Sequence, residues 1–224
     1  MSTYILNIET ATTNCSVSIS KNNESIALKE DNDKSYSHAE RLHVYIDNVL
    51  QEAHINREEI DAIAVSKGPG SYTGLRIGVS AAKGLCFALD KPLIAIPTLD
   101  ALAHQVRIND GIIVAMLDAR RMEVYAAIYD ANYKQIRDTE AQILDEKAFE
   151  DYFEQGKVYF IGNGVEKTKT LIDHPNAVFI EGKLPSSKEM GSLAYDKYKK
   201  SDVEDLAYFE PYYLKDFVAL KKNV

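Results

Sequence analysis

The sequence predicts an α/β protein made of two similar halves, each a mixed sheet covered by helices. Three observations predict this class. Short segments that run apolar or alternate between apolar and polar residues, as strands do, occur in both halves. Longer segments with apolar residues every three or four positions, as in amphipathic helices, lie between them. The order of elements, three strands and then helix, strand and helix, occurs twice without a repeat of residues.

The first half contains five predicted strands and three predicted helices. The strands are residues 4–9, 15–19, 25–29, 60–66 and 93–96, and the helices are residues 38–53, 71–89 and 98–106. Polar clusters typical of turns separate the first three strands. Ala62, Ile63, Ala64 and Val65 give the fourth strand no polar face, which indicates a strand buried within a sheet.

The second half repeats this order. Its predicted strands are residues 112–117, 123–129, 135–143, 158–161 and 177–180, and its predicted helices are residues 146–153, 165–172 and 188–199. The boundary is expected within residues 106–111, which gives an N-terminal lobe of residues 1–106 and a C-terminal lobe of residues 107–224. We also expect the last ~15 residues to return to the first lobe, since chain ends are ordered when they dock on a domain.

Composition and charge exclude several classes of protein. The 224 residues include 26 Lys and Arg against 34 Asp and Glu, a net charge of −8, which does not predict an autonomous nucleic-acid binder or an anionic-membrane binder. Cys15 and Cys86 are too few for a disulfide framework or a cysteine metal cluster. No apolar stretch reaches the ~20 residues of a membrane span, and the first residues do not resemble a signal peptide. We therefore expect a cytoplasmic protein.

A glycine-rich segment, GPGSYTGLRIG from Gly68, follows a predicted buried strand and opens a helix. Phosphate-binding loops occupy this position, but neither common motif fits. No Lys follows Gly74, as a Walker loop needs, and Thr73 stands where the third glycine of GxGxxG would be. Pro and Gly here predict a tight turn, with Ser71 or Thr73 as the helix cap.

Small residues continue inside this helix, although each internal Gly costs about 1 kcal/mol relative to Ala. The smooth face indicates close approach of another element. Either the face packs on the chain's own sheet, or part of it docks, with the first helix, on another subunit; the sequence leaves both alternatives open. The candidate interface residues are Leu42, Ile46, Val49, Gly74, Leu75, Gly78, Ala81, Ala82 and Leu85.

The segment Gly68–Gly78 closely resembles the signature of the TsaB (YeaZ) family. Other resembling segments are residues 5–10, Ser37-His38-Ala39-Glu40-Arg41-Leu42, Asp118-Ala119-Arg120, Glu123-Val124-Tyr125, Gly162-Asn163-Gly164 and Pro211-Tyr212-Tyr213-Leu214. They are spread over nearly the whole chain in the order of the family. The resemblance implies the duplicated actin/Hsp70-like (ribonuclease H-like) fold, whose two lobes agree with the repeated order of elements.

The resemblance also implies a function. It implies a non-catalytic scaffold subunit of the bacterial machinery that makes threonylcarbamoyladenosine beside the anticodon of tRNAs. The implied partners are a second copy in a homodimer, the catalytic paralogue TsaD in a heterodimer, the ATPase TsaE, and tRNA through the complex. No intrinsic cofactor is expected, because ATP and metal would be used by the partner subunits.

A metal site in this chain is not predicted, which also argues against a metallopeptidase. The catalytic paralogue uses an HxxxH pair on a helix, whereas here Leu42 stands four residues after His38. His43 lies one position further, about 140° around the helix from His38. Ser37 and Glu40 instead fit a capping box at the helix start.

A second candidate site is a vestigial nucleotide cleft. In actin-like folds the first hairpin turn and its counterpart in the second lobe face a phosphate cleft, where acidic groups help to hold Mg²⁺. The corresponding residues here are Glu9, Thr10, Thr12, Asp118, Gly162 and Gly164. Because several of these are also ordinary turn residues, an ATP-dependent phosphotransferase or hydrolase of the same fold stays open as the alternative function.

The aromatic residues near the end of the chain predict a docking segment. They are Tyr208, Phe209, Tyr212, Tyr213 and Phe217. A base-stacking platform normally lies beside a basic groove, and only Lys215, Lys221 and Lys222 are near them in the sequence.

Overall fold

The structure, a computed structural model, describes residues 2–32 and 38–215. The first sheet contains β1 (Tyr4–Glu9), β2 (Asn14–Lys21), β3 (Glu24–Asn32), β4 (Ala62–Gly68) and β5 (Leu93–Pro97). The second contains β6 (Ile112–Asp118), β7 (Glu123–Asp130), β8 (Gln135–Ile143), β9 (Val158–Ile161) and β10 (Ala177–Ile180). The helices are α1 (His38–Ala53), α2 (Tyr72–Leu89), α3 (Thr98–Ala103), α4 (Glu150–Phe153), α5 (Val165–Lys169) and α6 (Ser187–Lys199), with a 3₁₀ turn at Arg57–Glu59.

The two sheets have the same topology. The strand orders are β3-β2-β1-β4-β5 and β8-β7-β6-β9-β10. In each sheet the first three strands form antiparallel pairs, and the last two run parallel to the first strand of their half. This arrangement confirms the predicted duplicated α/β fold with two mixed sheets.

α3 contacts strands of both sheets, and α6 of the second half packs on the first sheet. Leu99 and Leu102 of α3 pack with Ile113 and Ala115 of the second sheet, whereas α6 contacts β1 and β2 of the first. The helices thus connect the two halves, while the boundary at residues 106–107 stays a prediction. α6 packs on the first sheet along its length, and the predicted return of the last ~15 residues lies partly outside the described residues.

The start of α6 explains how this helix is held on the first sheet. Met190 and Ala194 are fully buried in a core cluster that also contains Ile5 and Ile94. At the helix start, the Ser187 N–H donates to the hydroxyl of Ser16 in β2 at 3.0 Å. The buried apolar side chains and the hydrogen bond at the helix start thus hold α6 in one position on the first sheet.

The other faces of the sheets are covered by the remaining helices. α1 and α2 cover the first sheet, and the segments around α4 and α5 cover the second.

One predicted helix is much shorter in the structure. Of the predicted helix 146–153 only α4 is formed, since residues 146–149 form turns and Phe149 has a left-handed backbone with φ +67°. Ser37 of the predicted capping box lies outside the described residues, and no helix in the described ranges has the length and apolar character to cross a bilayer.

Candidate functional site

Two concave surfaces are candidates for function, and the first is an open groove of about 570 Å³ between α1 and α2. Its lining residues are Ala39, Leu42, His43, Arg76, Ile77, Ser80, Ala81, Gly84 and Leu85. On the same two helices, the apolar side chains of Val44 and Phe87 are 54% and 83% exposed. Exposed apolar surface of this extent is typical of protein–protein contacts.

The second surface is a cleft of about 560 Å³ between the lobes. The β1–β2 turn and the loop that opens α2 form one wall, with Thr12 and Ser71, and the β6–β7 turn forms the other, with Asp118 and Arg120. Asn163, which precedes α5, also lines the cleft. Its amide oxygen accepts the Asp118 N–H at 2.8 Å, which ties the two loops of the second lobe together.

The chain segment after α6 closes one side of this cleft. Its Tyr212 N–H donates to the Lys67 carbonyl at 2.7 Å. The ring of Tyr213 lies 4.6 Å from the ring of Tyr72, and its hydroxyl accepts the Arg76 Nε–H at 3.2 Å. The Arg76 guanidinium lies 4.0 Å from the Tyr72 ring centroid, within range of a cation–π contact.

Asp118 carries the exposed carboxylate of the cleft. This carboxylate accepts the Arg120 N–H at 2.6 Å and forms an ion pair with Lys167 Nζ at 2.9 Å. Lys215, from the segment after α6, forms an ion pair with Glu123 at the start of β7. Each acidic side chain at the base of the β6–β7 turn is thus paired with a lysine from another part of the chain.

Comparison with known proteins identifies the family. The model of the family described as TsaD, tRNA N6-adenosine threonylcarbamoyltransferase, matches residues 32–222. The tRNA threonylcarbamoyladenosine biosynthesis protein TsaB of Escherichia coli (strain K12) is 30% identical over 97% of both chains. The chain belongs to the TsaB (YeaZ) family.

Further comparisons agree with this membership in the TsaB family. TsaB of Bacillus subtilis (strain 168) is 41% identical over 42% of this chain and 41% of its own. The structure of YeaZ from Pseudomonas aeruginosa superposes with a TM-score of 0.83 at 25% identity, covering 95% of this chain and 100% of that one. Ethanolamine utilization protein EutJ from Carboxydothermus hydrogenoformans, at a TM-score of 0.52 and 11% identity over 87% and 90% of the two chains, shares the fold alone.

The structure shows which residues of the predicted interface of this TsaB-family chain are accessible in the monomer. Most of these interface residues are buried within the monomer: Leu42, Ile46, Val49, Gly74, Leu75, Gly78 and Ala82. The reason is that the apolar face of α1 is the face that must cover the first sheet. Of the predicted residues, Ala81 and Leu85 are half-buried and line the groove, and Leu42 forms part of its floor.

The glycines of α2 serve two different surfaces. A Cβ added to Gly74 would lie 2.1 Å from the Thr10 carbonyl oxygen, and one added to Gly78 would lie 2.2 Å from Thr10 Oγ1. These two glycines therefore let α2 pack against the β1–β2 turn, as the intramolecular alternative predicts. Gly84 is different, because a Cβ there would meet nothing within 4 Å and the residue lines the groove.

Glu9, which the analogy with actin-like folds assigns to the nucleotide cleft, is not among the residues that line the cleft. Its side chain is fully buried, and Oε1 accepts the Ala11 N–H at 2.6 Å and the Ser66 hydroxyl at 2.9 Å. Burial raises the pKa of Glu9 to about 7, although hydrogen bonds from Ala11, Ser66 and Thr10 act in the opposite direction. Glu9 thus fastens the β1–β2 turn to β4.

Of the other residues predicted for the cleft, some line it and others are buried in the fold. Thr10 is buried and donates its hydroxyl to the Gly74 carbonyl at 2.8 Å, whereas Thr12 does line the cleft. Gly162, with φ +115°, and Gly164 pack against β6, since added Cβ atoms would lie 1.9 Å from Met116 oxygen and 3.2 Å from Met116 Sδ. Asn163, which lies between these two glycines, reaches the cleft. Its position directly after the carboxyl end of β9 is the sequence feature from which this could be predicted.

Two basic residues near the aromatic segment are distant from it in the sequence and were not predicted. Lys215 is its sequence neighbour, but Arg76 and Arg120 reach the same cleft region as Tyr213 only through the fold. Phe217 of the predicted docking segment lies outside the described residues. Among residues 2–32 and 38–215, no three His, Cys, Asp or Glu side chains form a group that could hold a metal ion.

Proposed function

We propose that this chain acts in tRNA threonylcarbamoyladenosine biosynthesis as a non-catalytic scaffold that activates a catalytic TsaD paralogue by pairing with it. The isolated chain forms a homodimer through the same surface, the ATPase TsaE joins the heterodimer, and tRNA is bound through the complex in the cytoplasm. The family membership supports the pathway, and the α1–α2 groove supports the pairing.

The groove is the observation that carries the proposal. Its α2 side presents Ser80, Ala81 and Gly84, whose small side chains allow the backbone of another helix to approach closely. Phe87, three residues after Gly84 on α2, is also exposed. A two-fold pairing sets one patch against its equivalent. A second copy, or a paralogue that presents the same helix pair, therefore fits the groove, and the two partners compete.

The non-catalytic role is supported by the contacts of the two acidic residues predicted for the cleft. Glu9 is buried behind the β1–β2 turn, and Asp118 is paired with Lys167. The Glu9 carboxylate does not reach the cleft, and Asp118 Oδ1 is already engaged by the Arg120 N–H and by Lys167 Nζ. We accordingly assign the metal and the ATP chemistry to the partner subunits, and no intrinsic cofactor to this chain.

Substitution Gly84→Arg tests the pairing surface. The change places a long charged side chain in the groove, and its Cβ meets no atom of the monomer within 4 Å. Because burying an unpaired charge in an interface costs several kcal/mol, we expect the dissociation constant of the homodimer and of the TsaD heterodimer to rise about a hundredfold. Size-exclusion chromatography with light scattering over a concentration series measures both.

The matched control is Gly84→Ala, which has the same effect on backbone freedom but adds a single methyl group. It should pair like the unchanged chain and unfold at a slightly higher temperature, as expected for Gly→Ala within a helix. Undiminished association of Gly84→Arg, with both variants folded, would exclude the groove as the pairing surface.

The alternative function, an ATP-dependent phosphotransferase or hydrolase, predicts a different titration. If the carboxylates of Glu9 and Asp118 remain in their internal contacts, calorimetric titration of the isolated chain with Mg-ATP should show no micromolar binding and no turnover. Micromolar affinity that is lost in Asp118→Asn would contradict the scaffold proposal. The same variant of Asp138, an exposed residue of β8, controls for the loss of one negative charge.

A further inference from the structure

The β6–β7 turn carries two arginines whose charges are not neutralised by the chain's own ion pairs. Asp118 is paired with Lys167 and Glu123 with Lys215, so these four charges cancel. Arg120 and Arg121 are exposed, and within residues 2–32 and 38–215 neither guanidinium has an ion-pair partner. The turn thus has a local excess of positive charge on a chain whose net charge is −8.

The backbone of this turn is also unusual. Arg120 has φ +68° and Arg121 has φ +49°, so two consecutive long side chains occupy the left-handed region. Gly, Asn or Asp usually occupy such positions, because other residues adopt this conformation at a cost. Strain of this kind concentrates where a turn has a role beyond connecting two strands. Here it is accepted at the two positions that carry the uncompensated charges.

The surroundings of the turn favour one class of ligand. Arg120 lines the interlobe cleft together with Tyr72, Tyr125 and Tyr213, and Arg76 lies over the Tyr72 ring. Guanidinium forks bind phosphate oxygens in pairs. The rings of Tyr72 and Tyr213 are already in contact with each other, and Arg76 lies over Tyr72, so phosphates and not bases are the groups of an RNA that this turn would bind. The same guanidinium forks bind carboxylates, so an acidic protein surface is the competing ligand, which the experiment below distinguishes.

We propose that the β6–β7 turn is a contact site for the phosphate groups of an RNA, with Arg120 and Arg121 each binding one phosphate. The inference rests on the proposed function, because the assembled complex brings the RNA to this subunit. It also explains how an acidic chain takes part in RNA binding: the RNA approaches one rim of the cleft and not the acidic remainder of the surface.

Arginine modification mapped by mass spectrometry tests the contact directly. The assembled complex is treated with phenylglyoxal with and without tRNA, and the modification rate of each arginine is measured. We expect tRNA to slow modification of Arg120 and Arg121 at least threefold. Arg57, paired with Asp47 near the end of α1, is the internal control and should be unaffected. Protection by the partner proteins before RNA is added would indicate an acidic protein contact and overturn the proposal.

A double variant, Arg120→Asn with Arg121→Asn, provides the second measurement. Asn tolerates the left-handed backbone, so the turn keeps its conformation while both charges are lost. In fluorescence anisotropy titrations of tRNA at several KCl concentrations, the slope of log K against log[KCl] should become shallower by about 1.4–1.8, which is 0.7–0.9 per lost phosphate contact. Arg57→Asn should leave the slope unchanged, and an unchanged slope in the double variant contradicts the proposal.

Failure of the proposed function is recognised separately, because the variants and the unchanged chain are first examined for assembly with the paralogue by size-exclusion chromatography. If the unchanged chain does not assemble, the scaffold proposal fails. The modification experiment is then made on the isolated chain at low ionic strength. Equal modification rates with and without tRNA in that experiment overturn the RNA contact as well.

Discussion

Substitution Gly78→Ala should destabilise the fold by about 3 kcal/mol, and removal of the Thr10 hydroxyl should recover a large part of this loss. The new Cβ would lie 2.2 Å from Thr10 Oγ1 but 3.4 Å from Thr10 Cβ. A gap of 2.2 Å between heavy atoms cannot be relieved without moving the side chain or the helix, and such overpacking is typically worth 1–3 kcal/mol or more. In Thr10→Ala the clashing atom is absent, and the remaining distance is an ordinary contact.

Substitution Gly74→Ala should be at least as destabilising, but Thr10→Ala should not recover its loss. The atom nearest to the added Cβ is the Thr10 backbone carbonyl oxygen, at 2.1 Å, and every residue at position 10 carries that atom. The comparison therefore separates a clash with a side chain from a clash with the backbone within one helix. Gly84→Ala, which meets nothing, should instead stabilise the helix by about 1 kcal/mol.

Urea unfolding of the single and double variants measures these effects as a double-mutant cycle. Thr10→Ala alone should cost about 1 kcal/mol, since it removes the hydrogen bond to the Gly74 carbonyl. We expect Gly78→Ala to cost at least about 1 kcal/mol less when residue 10 is already alanine. The cost of Gly74→Ala should not be reduced by Thr10→Ala. Equal coupling at both glycines would show that α2 shifts as a unit and would contradict the packing described above.

These glycines also show why part of the site could not be predicted. The segment Tyr72–Leu89 is small or apolar on several faces, so residue periodicity does not say which glycines face the chain and which face outward. The structure assigns Gly74 and Gly78 to the β1–β2 turn and Gly84 to the groove. The distinction depends on the position of Thr10, which lies far away in the sequence.

The strands and most helices could be predicted because burial of one face gives each segment its own regular spacing of apolar residues. The contacts of α3 with both sheets and of α6 with the first could not be predicted, because an apolar helix face is equally compatible with either sheet. Likewise, Arg76 and Arg120 come near Tyr213 and Lys215 only because the segment after α6 crosses to the cleft. Local sequence carries no information about charges that meet in this way.

The contribution of Glu9 to the free energy of unfolding should depend strongly on pH. Burial raises the pKa of this carboxyl from 4.5 to about 7 in the folded chain. Between these two values the folded form binds more protons than the unfolded form, so the contribution of Glu9 to the free energy of unfolding falls as pH rises. It is fully present below pH 4.5 and lost above pH 7, a change of about 3 kcal/mol.

Substitution Glu9→Gln removes this titration and keeps a neutral side chain of the same shape, with an oxygen that can still accept from Ala11 and Ser66. Its stability relative to the unchanged chain should therefore improve by about 3 kcal/mol between pH 4.5 and pH 8. Urea unfolding across this range measures the difference, and Glu146→Gln at an exposed position controls for the lost charge. Because the amide nitrogen would occupy the site of Oε2, which has no hydrogen-bond partner among the described residues, the improvement starts from a deficit at low pH. A difference that does not change with pH would mean that Glu9 stays ionised in the folded chain and that the β1–β2 turn is held by a charged carboxylate.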